Sequence, residues 1–362
     1  MGKYKICVYA ISKNEEKYAE KWFNSMKEAD EIYVLDTGST DNTVNILKNL
    51  GAHVETKIIS PWRFDVARNE SLKLVPDDTD IYICTDLDEL FLPGWRKELE
   101  EKWQKDTVQA KYQYNWLLDK YNNPRVTFLY DKIHNKDFEW LYPVHEVLIY
   151  KQNIKKNFIT LNTVTLNHYQ DRTKNRSNYL PLLNLALDER PNDTRLLYLL
   201  ARQHLTLKHY EECIKYGTKY MEVGQNCYYT QKSATCRFIA RSNKNLGNIK
   251  EAKEWYRKAI KIAPNLREPY VEFGMLEFDQ YNYGNAIYLL EYALTIKKDS
   301  PNNVNEIFAW NDKIYILLSK AYSYTNRLEQ ALNYIEEAIK INPDNEESQN
   351  LKTALETLKN YT

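Results

Sequence analysis

The sequence predicts two domains of different class: an α/β domain built on a largely parallel sheet, and an all-α domain of helical repeats. In the first half, strand-like and helix-like segments alternate, which is typical of a parallel sheet with helices on its faces. From about residue 190, one helical pattern of small residues recurs at a regular interval. We expect the domains to cover residues 1–172 and 173–362.

The alternation in the first half begins close to the N-terminus. The strand-like segments are KICVYAI, EIYVLD, HVETKII and DIYICTD. The helical segments between them are NEEKYAEKWFNSMKEA, STDNTVNILKNLG and FDVARNESLKLV. Ligands of such sheets bind at the carboxyl ends of the strands. The polar segments DTGSTD and TDLDE follow two of these strands and are therefore candidate binding loops.

The second half contains a repeat with the length of a helical hairpin. Ala252 and Ala286 are 34 residues apart, which is the period of tetratricopeptide repeats. The next interval, from Ala286 to Ala331, is 45 residues, so we expect an eleven-residue insertion around SPNNVNEIF. The other positions that we expect at helix contacts are Ala201, Cys213, Tyr220, Ala240, Ala259, Gly274, Ala293, Ser319 and Ala338. The final segment, EESQNLKTALETLKNY, is predicted to be a capping helix.

The composition excludes some classes of function. Lys and Arg together number 50, as do Asp and Glu, so the formal net charge is zero. A broad surface for nucleic acid or anionic membranes is therefore not expected, and no apolar run approaches membrane-spanning length. The five cysteines lack CxxC spacing and the N-terminus lacks a signal-peptide pattern, which together predict a reducing, cytoplasmic location.

The acidic segment TDLDE carries the sharpest chemical signal. Asp86 and Asp88 are two residues apart, so an extended chain points both side chains in the same direction. Two hard oxygen donors beside an open cleft suit Mg²⁺ or Mn²⁺, which also binds diphosphate oxygens. The alternative is a solvated strand end followed by an acidic helix start. The position at the end of a buried strand favours the metal site.

Four segments, in this order, resemble glycosyltransferase family 2: ISKNEE, VLDTGSTDNTV, FDVARNESL and TDLDELFLPGW. The resemblance covers roughly the first half of the chain. It implies the GT-A fold, a Rossmann-like sheet that binds nucleotide sugars. The combination with tetratricopeptide repeats is similar to the sublancin-type peptide S-glycosyltransferases. Glycine fingerprints for NAD and a Walker A loop are absent from the sequence.

The resemblance also implies roles for individual residues. The segment from Ala10 to Glu15, with Asp36, would hold uracil and ribose, while Asp88 would ligate the metal directly. Asp86 would contact the ribose or the water shell of the metal. The residues expected at the nucleotide sugar are Ala10, Ser12, Asn14, Glu15, Asp36, Arg68, Asn69, Asp86 and Arg176.

A third segment, WLYPVHEVLIY, carries the candidate catalytic groups. Inverting sugar transfer needs a carboxylate that takes the proton of the acceptor. We expect Glu146 in this role, with His145 as an orienting or substrate-binding group. The more frequent base of the family is an Asp in an E-D pair, which is absent here. The alternative is a capped strand start with a surface His-Glu pair.

The segment TLNHYQDRTKNRSNYL ends the strand region. His168 is a candidate third metal ligand beside Asp86 and Asp88, because relatives carry a His in a comparable place. Arg172, Lys174 and Arg176 would close over the diphosphate, or they form a basic helix start. An apolar platform for a sugar ring could come from Trp116, Trp140 and Tyr142, each of which could equally be a core residue.

These observations favour a metal-dependent, inverting glycosyltransferase with a nucleotide-sugar donor, most readily a UDP-sugar. The acceptor would be a peptide, a protein or a glycan, bound by the repeats, which could also pair two subunits. The alternative from another class is an inactive nucleotide-sugar-binding scaffold that acts through its repeats. A sugar-1-phosphate nucleotidyltransferase would need a glycine-rich loop near the N-terminus, where YAISKNEEK has none.

Overall fold

The computed structural model describes residues 2–152, 157–171, 179–297 and 306–361. The chain divides into two compact units, Met1–Ala186 and Leu187–Thr362. The domain boundary expected after residue 172 stays a prediction, because residues 172–178 lie outside the described part of the chain.

The first unit is an α/β domain in which strands and helices alternate as the sequence predicts. Its strands are β1 (Ile6–Ser12), β2 (Glu31–Asp36), β3 (His53–Thr56), β4 (Ile81–Cys84), β5 (Glu89–Phe91), β6 (Thr107–Leu118), β7 (Pro124–His134), β8 (Phe138–Leu141), β9 (Val147–Tyr150) and β10 (Asn157–His168). The helices that begin in this unit are α1 (Glu16–Met26), α2 (Thr43–Leu50), α3 (Phe64–Leu72), α4 (Trp95–Lys102) and α5 (Tyr179–Glu189), the last of which continues past the end of the unit.

Eight strands form one mixed sheet in the order β3-β2-β1-β4-β7-β6-β10-β5, and β8 pairs with β9 separately. The first four strands are parallel, as the alternating pattern predicts. The prediction of a largely parallel sheet needs a correction in the second half, where β7 runs antiparallel to both β4 and β6. A hairpin joins β6 to β7, and that connection reverses the direction of β7.

Helix α1 shows how the sequence pattern builds the core beside the sheet. Ala19, Trp22 and Met26 lie on one face of the helix and are fully buried against strand residues. The indole N–H of Trp22 donates to the hydroxyl of Thr85, 2.9 Å away at the end of β4. Because a buried N–H needs a partner, this bond ties α1 to the strand end that carries the acidic segment.

The second unit consists of helical hairpins. Its helices are α6 (Thr194–Thr206), α7 (Tyr210–Val223), α8 (Tyr229–Asn245), α9 (Ile249–Ile262), α10 (Arg267–Asp279), α11 (Tyr283–Thr295), α12 (Lys313–Tyr324), α13 (Leu328–Ile341) and α14 (Glu346–Tyr361), with a 3₁₀-helix at Ile307–Ala309. The small residues that the repeat pattern singles out are buried. A Cβ atom added to Gly274 would lie 2.8 Å from Cγ of Leu290, so only glycine permits the approach of α10 and α11. The predicted repeat packing is confirmed.

The insertion between α11 and α12 lies partly outside the described residues. Its described end packs on α10: the indole of Trp310 donates to Glu268 over 3.0 Å. The guanidinium of Arg267 lies 3.8 Å from the centre of the Trp310 ring. Among the described residues, no helix is both long enough and apolar enough to cross a membrane.

Candidate functional site

The loop after β2 is organised by the carboxylate of Asp36, which is fully buried. Main-chain N–H groups of Gly38 and Ser39 donate to one of its oxygens over 3.0 and 2.9 Å, and the hydroxyl of Ser12 donates to the other over 3.0 Å. Gly38 has a φ of 106°, a conformation that favours glycine. The Asp36 carboxylate therefore stabilises the DTGST turn through hydrogen bonds. Its contact with a nucleotide stays a prediction.

The loop after β1 is bonded to the loop after β2. Asn14, with a φ of 55°, accepts from the N–H of Thr40 over 2.7 Å, and its own N–H donates to Ser39 over 2.8 Å. The N–H of the buried Glu15 donates to Thr43, also over 2.8 Å. Ala10 is buried in β1 itself. The predicted nucleotide-binding segment is therefore held rigidly against the DTGST turn at the carboxyl edge of the sheet.

Arg68 of α3 joins three parts of the site. It is buried, and it donates from Nη2 to Asp86 over 2.7 Å and from Nε to Glu146 over 2.9 Å. Its guanidinium also stacks on the ring of Trp140, 5.2 Å from the centre. Burial opposes the charge of Arg68, but the Asp86 and Glu146 carboxylates outweigh it and raise its pKa. Arg68 therefore positions two of the predicted site carboxylates, which are 60 residues apart in the sequence.

The neighbouring Asn69 bonds to the main chain of β8. Its side-chain amide donates to the carbonyl of Trp140 over 2.8 Å and accepts from the N–H of the same residue over 2.9 Å. Asn69 thus anchors β8 against α3. The side-chain contacts found for Arg68 and Asn69 are made within the protein, so their contact with a nucleotide remains a prediction.

Asp88 and His168 lie together at the end of the sheet. β10 pairs with β5, which places His168 opposite Glu89, and the N–H of Tyr169 donates to the carbonyl of Asp88 over 2.7 Å. The Nε2 atom of His168 is 3.7 Å from Oδ2 of Asp88. Its Nδ1 atom is 3.1 Å from the carbonyl oxygen of Trp116. In the neutral ring, Nδ1 therefore donates to Trp116, and the lone pair of Nε2 points towards the carboxylate.

This pair fits a divalent cation by the chemistry of its donors. A metal-binding histidine usually donates its second N–H to a carbonyl or carboxylate, as His168 does to Trp116. Burial disfavours protonation of His168, but Asp88 and the Trp116 carbonyl outweigh it and raise the pKa, so the site attracts positive charge. No group of three or more metal-binding side chains exists among the described residues. Waters and substrate oxygens would supply further ligands, as is usual for Mg²⁺.

The predicted catalytic pair lies in the turn before β9. Tyr142 and His145 both have positive φ values, 79° and 53°, so the turn adopts a conformation uncommon for side-chain-bearing residues. About 12% of the Glu146 side chain is exposed, and Arg68 fixes its position. The ring of His145 lies edge-on to Tyr179, 5.5 Å between centres.

The three candidate platform aromatics differ in exposure. Trp116 is 43% exposed on β6, whereas Trp140 is 3% exposed and belongs to the core. Only Trp116 combines an exposed ring with a main-chain contact to His168.

Comparisons with known proteins identify the class of each half of the chain. Residues 7–158 match the family model described as glycosyl transferase family 2, and residues 238–266 and 277–355 match models of the tetratricopeptide repeat. The chain combines a glycosyltransferase family 2 domain with tetratricopeptide repeats. The predicted family and domain combination are therefore confirmed.

Two curated relatives and one solved structure illustrate the likeness. An uncharacterized glycosyltransferase of Rickettsia bellii is 32% identical over 142 residues, 37% of this chain and 47% of the relative. The glycosyltransferase SunS of Bacillus phage SPbeta is 29% identical over 223 residues, 57% of this chain and 50% of SunS. The chain thus spans about half the length of these relatives. MamA from Desulfovibrio magneticus RS-1 is similar at 17% identity and a TM-score of 0.39, over 46% of this chain and 85% of MamA.

The family 2 match ends at residue 158, ten residues before His168, and it does not include Arg176. Arg176 lies outside the described residues, as do Arg172 and Lys174. Their predicted closure over a diphosphate stays a prediction. His168 reaches the family 2 domain's acidic segment because β10 extends the same sheet.

Sequence reasoning missed one charged residue of the family 2 domain, Lys132 on β7. It is buried, and its Nζ atom is 3.7 Å from Glu89 and 3.8 Å from Asp86. Glu89, also buried, accepts from the hydroxyl of Tyr114 over 2.8 Å and from the N–H of Asp86 over 2.9 Å. The alternation of side chains along a strand could have identified it. Lys132 lies two residues from both Tyr130 and His134, so a strand places all three side chains on the same face of the sheet.

Proposed function

We propose that this protein is a glycosyltransferase that moves a sugar from a nucleotide donor, most readily UDP-linked, to a peptide, protein or glycan acceptor. The observation that carries the proposal is the Asp88–His168 pair, with its donors 3.7 Å apart, beside the rigid loops at the carboxyl edge of the sheet. Nucleotide ligands of such sheets bind at this edge. The family 2 match supports the same assignment.

Asp88 and His168 would hold a divalent cation, Mn²⁺ or Mg²⁺. When bound, the ion supplies positive charge that stabilises the departing diphosphate. Asp86 is bonded to Arg68 and would help to keep it in place. As the family resemblance implies, Asp86 would also contact the ribose or the water shell of the ion. The carbonyl of Trp116 keeps the imidazole of His168 oriented towards Asp88.

Glu146 would take the proton of the acceptor as the acceptor attacks the anomeric carbon, with inversion. A general base must lie within reach of the proton that it removes. The bond from Arg68, 2.9 Å long, holds the carboxylate in one position beside Asp86. His145 would orient the acceptor or the donor from the adjoining turn.

The assay is release of nucleoside diphosphate from a panel of nucleotide sugars with Mn²⁺. We expect Asp88→Asn to lower the rate at least about 100-fold, because it weakens the stabilisation of the leaving group. The matched control is Asp77→Asn, which changes an exposed aspartate of the same domain and should leave the rate unchanged. A rate that survives Asp88→Asn would exclude the metal site.

A second substitution tests the base. Glu146→Gln should retain binding of UDP and Mn²⁺ while transfer to an acceptor falls, because the amide cannot accept the proton. Full transfer by this variant would exclude Glu146 as the base. Mass spectrometry of peptides and glycans after reaction would identify the acceptor class.

A nucleotide-sugar-binding scaffold is the second candidate. It is favoured by the contacts of Arg68, Asn69 and Asp36, all of which serve the fold itself. Binding of UDP-sugars without turnover across the panel would support it. In either case the repeats would present a surface to a partner peptide or to a second copy of the chain. Analytical ultracentrifugation of the full chain would show whether two copies associate.

A further inference from the structure

Two half-buried aromatic side chains of β7, Phe128 and Tyr130, pack at the margin of the α/β core. They are two residues apart in a strand, so both lie on the same face of the sheet. The buried Tyr114 of β6 contacts both rings, 5.2 Å from Phe128 and 4.7 Å from Tyr130 between centres. The centres of the Phe128 and Tyr130 rings are 5.9 Å apart. These two side chains, the β7 aromatic pair, therefore form one continuous surface that solvent partly reaches.

The β7 aromatic pair is one side chain away from two parts of the candidate site. The imidazole of His168 stacks on Tyr114, with ring centres 6.0 Å apart, and Tyr114 contacts the pair directly. On the other side, Nζ of Lys132 lies 4.9 Å from the centre of the Tyr130 ring and 3.8 Å from Oδ2 of Asp86. The pair therefore adjoins both the candidate metal ligand and the acidic segment.

The hydroxyl of Tyr130 is the polar group of this surface. Among the residues that the structure describes, it has no hydrogen-bond partner, and it is not enclosed by the protein. Burial and the nearby carboxylates of Glu89 and Glu146 raise the pKa of Tyr130 to about 12, against the opposing charge of Lys132. The phenol is therefore neutral at physiological pH and can donate a hydrogen bond to a ligand.

The order of the strands separates this surface from the loops expected to bind uracil and ribose. Those loops follow β1 and β2, on one side of β4, whereas β7 and β6 lie on its other side. β7 runs antiparallel to β4 and pairs Ile133 with Ile83, so the residues before Ile133 lie level with the segment after Cys84. A donor whose diphosphate lies at the end of β4 therefore extends its sugar, rather than its base, towards β7.

We propose that Phe128 and Tyr130 bind the sugar ring of the donor, a hexopyranose. The inference rests on the proposed function. In an inverting transfer the acceptor attacks from the side opposite to the leaving group, so the sugar lies between the Asp88–His168 pair and Glu146. The C–H bonds on one face of the pyranose pack against the electron-rich faces of the two rings. The Tyr130 hydroxyl donates to a sugar oxygen.

The test compares the binding of UDP with that of UDP-glucose and UDP-N-acetylglucosamine, with Mn²⁺, by calorimetry. Both sugars carry equatorial ring hydroxyl groups, which leave their C–H faces open, and the sugar nucleotide that binds more tightly is the probe. Tyr130→Phe removes only the hydroxyl, and Phe128→Leu removes the aromatic ring but keeps an apolar side chain. In each variant the dissociation constant of the probe should rise about threefold to tenfold. That of UDP, which has no hexose, should stay unchanged.

The matched control is Leu129→Ala. Leu129 lies between the two aromatic residues in the sequence and is 47% exposed, but the alternation of the strand turns it to the opposite face. This variant should bind UDP and the probe as the original protein does. Retained binding of UDP also shows that each variant is folded, so a purely structural effect of the substitutions would be visible.

The results distinguish this inference from the proposed function. If the original protein binds neither UDP nor a UDP-sugar, the proposed function itself fails. If it binds the probe, and Tyr130→Phe and Phe128→Leu bind the probe as tightly, the role of the aromatic pair fails alone. Equal weakening of UDP and the probe would assign the rings to the nucleotide or to the fold, and binding of UDP alone would exclude a sugar site. A selective loss of probe binding in both variants, absent from Leu129→Ala, supports the inference.

Discussion

Two buried ion networks, one in each unit, differ in how fully the cations compensate a buried carboxylate. In the described part of the α/β domain, Arg68 and Lys132 contact three carboxylates, those of Asp86, Glu89 and Glu146. In the repeats, Arg237 and Arg241 of α8 meet Glu272 of α10 and Glu306 of the insertion, with a formal charge of zero. Both networks contain carboxylates that are almost fully buried.

The pKa of the buried acid is shifted in opposite directions in the two networks. Burial alone would raise the pKa of Glu272, but Arg237 and Arg241 outweigh it and lower the pKa. For Glu89, burial raises the pKa, and Lys132 offsets this only in part. In the repeat network, the guanidinium groups therefore compensate the buried carboxylate, as a purely structural network requires. In the α/β domain, by contrast, Lys132 does not fully compensate the burial of Glu89.

Removing Arg68 should have the largest effect, because it damages both fold and site. Arg68→Met leaves Asp86 and Glu146 without their shared cation, and we expect a loss of about 3–5 kcal/mol in the free energy of unfolding. Transfer activity should fall below detection, since both carboxylates lose their positions. Urea unfolding and the diphosphate-release assay measure the two losses.

The matched control is Lys57→Met, which removes a surface lysine paired with Glu70 in the same domain. Its cost should stay below about 1 kcal/mol. An Arg68→Met protein as stable as this control would mean that the buried contacts of Arg68 contribute little.

Removing Arg237 should affect stability alone. Arg237 is buried and donates to Glu272 over 2.8 Å, so Arg237→Met should lower the free energy of unfolding by about 3 kcal/mol. The affinity for Mn²⁺ with UDP, measured by calorimetry at a temperature where the variant is folded, should not change. Lys244→Met, on the exposed side of the same helix, should cost less than about 1 kcal/mol. A change in Mn²⁺ affinity with Arg237→Met would contradict the assignment of a purely structural role.

The sequence predicted what depends on local periodicity and missed what depends on strand order. The repeats follow from the spacing of Ala252, Ala286 and their equivalents, because helix contacts within a hairpin are close in sequence. Strands β1 to β4 follow from alternating segments. The bond between Arg68 and Glu146 joins residues 78 positions apart, and Lys132 meets Glu89 only because the β6–β7 hairpin enters the sheet beside β4. No local pattern encodes such an insertion.

A third buried network contains no charged group, and we expect it to have the smallest effect on the free energy of unfolding. It shows how a buried polar network behaves when no ion pair is present. The indole of Trp140 donates to the hydroxyl of Tyr9 over 2.9 Å, and that hydroxyl bonds to Nε2 of His134 over 2.8 Å. The Nδ1 atom of His134 bonds to the carbonyl of Asn135 over 2.6 Å. Every polar group of the three side chains has a hydrogen-bond partner only while His134 is neutral. Burial lowers the pKa of His134 to about 4.

The unfolded chain binds a proton at His134 near pH 6.5, whereas the folded protein binds it only near pH 4. The stability from neutral His134 is therefore complete above pH 6.5 and is lost as the pH falls towards 4. Between pH 7 and pH 5 the loss from this residue should be about 2 kcal/mol, and His134→Gln should remove that part of the slope. Urea unfolding at a series of pH values measures it. An unchanged slope in the variant would mean that the acid sensitivity of the domain arises from its carboxylates, and that the neutral network adds nothing to it.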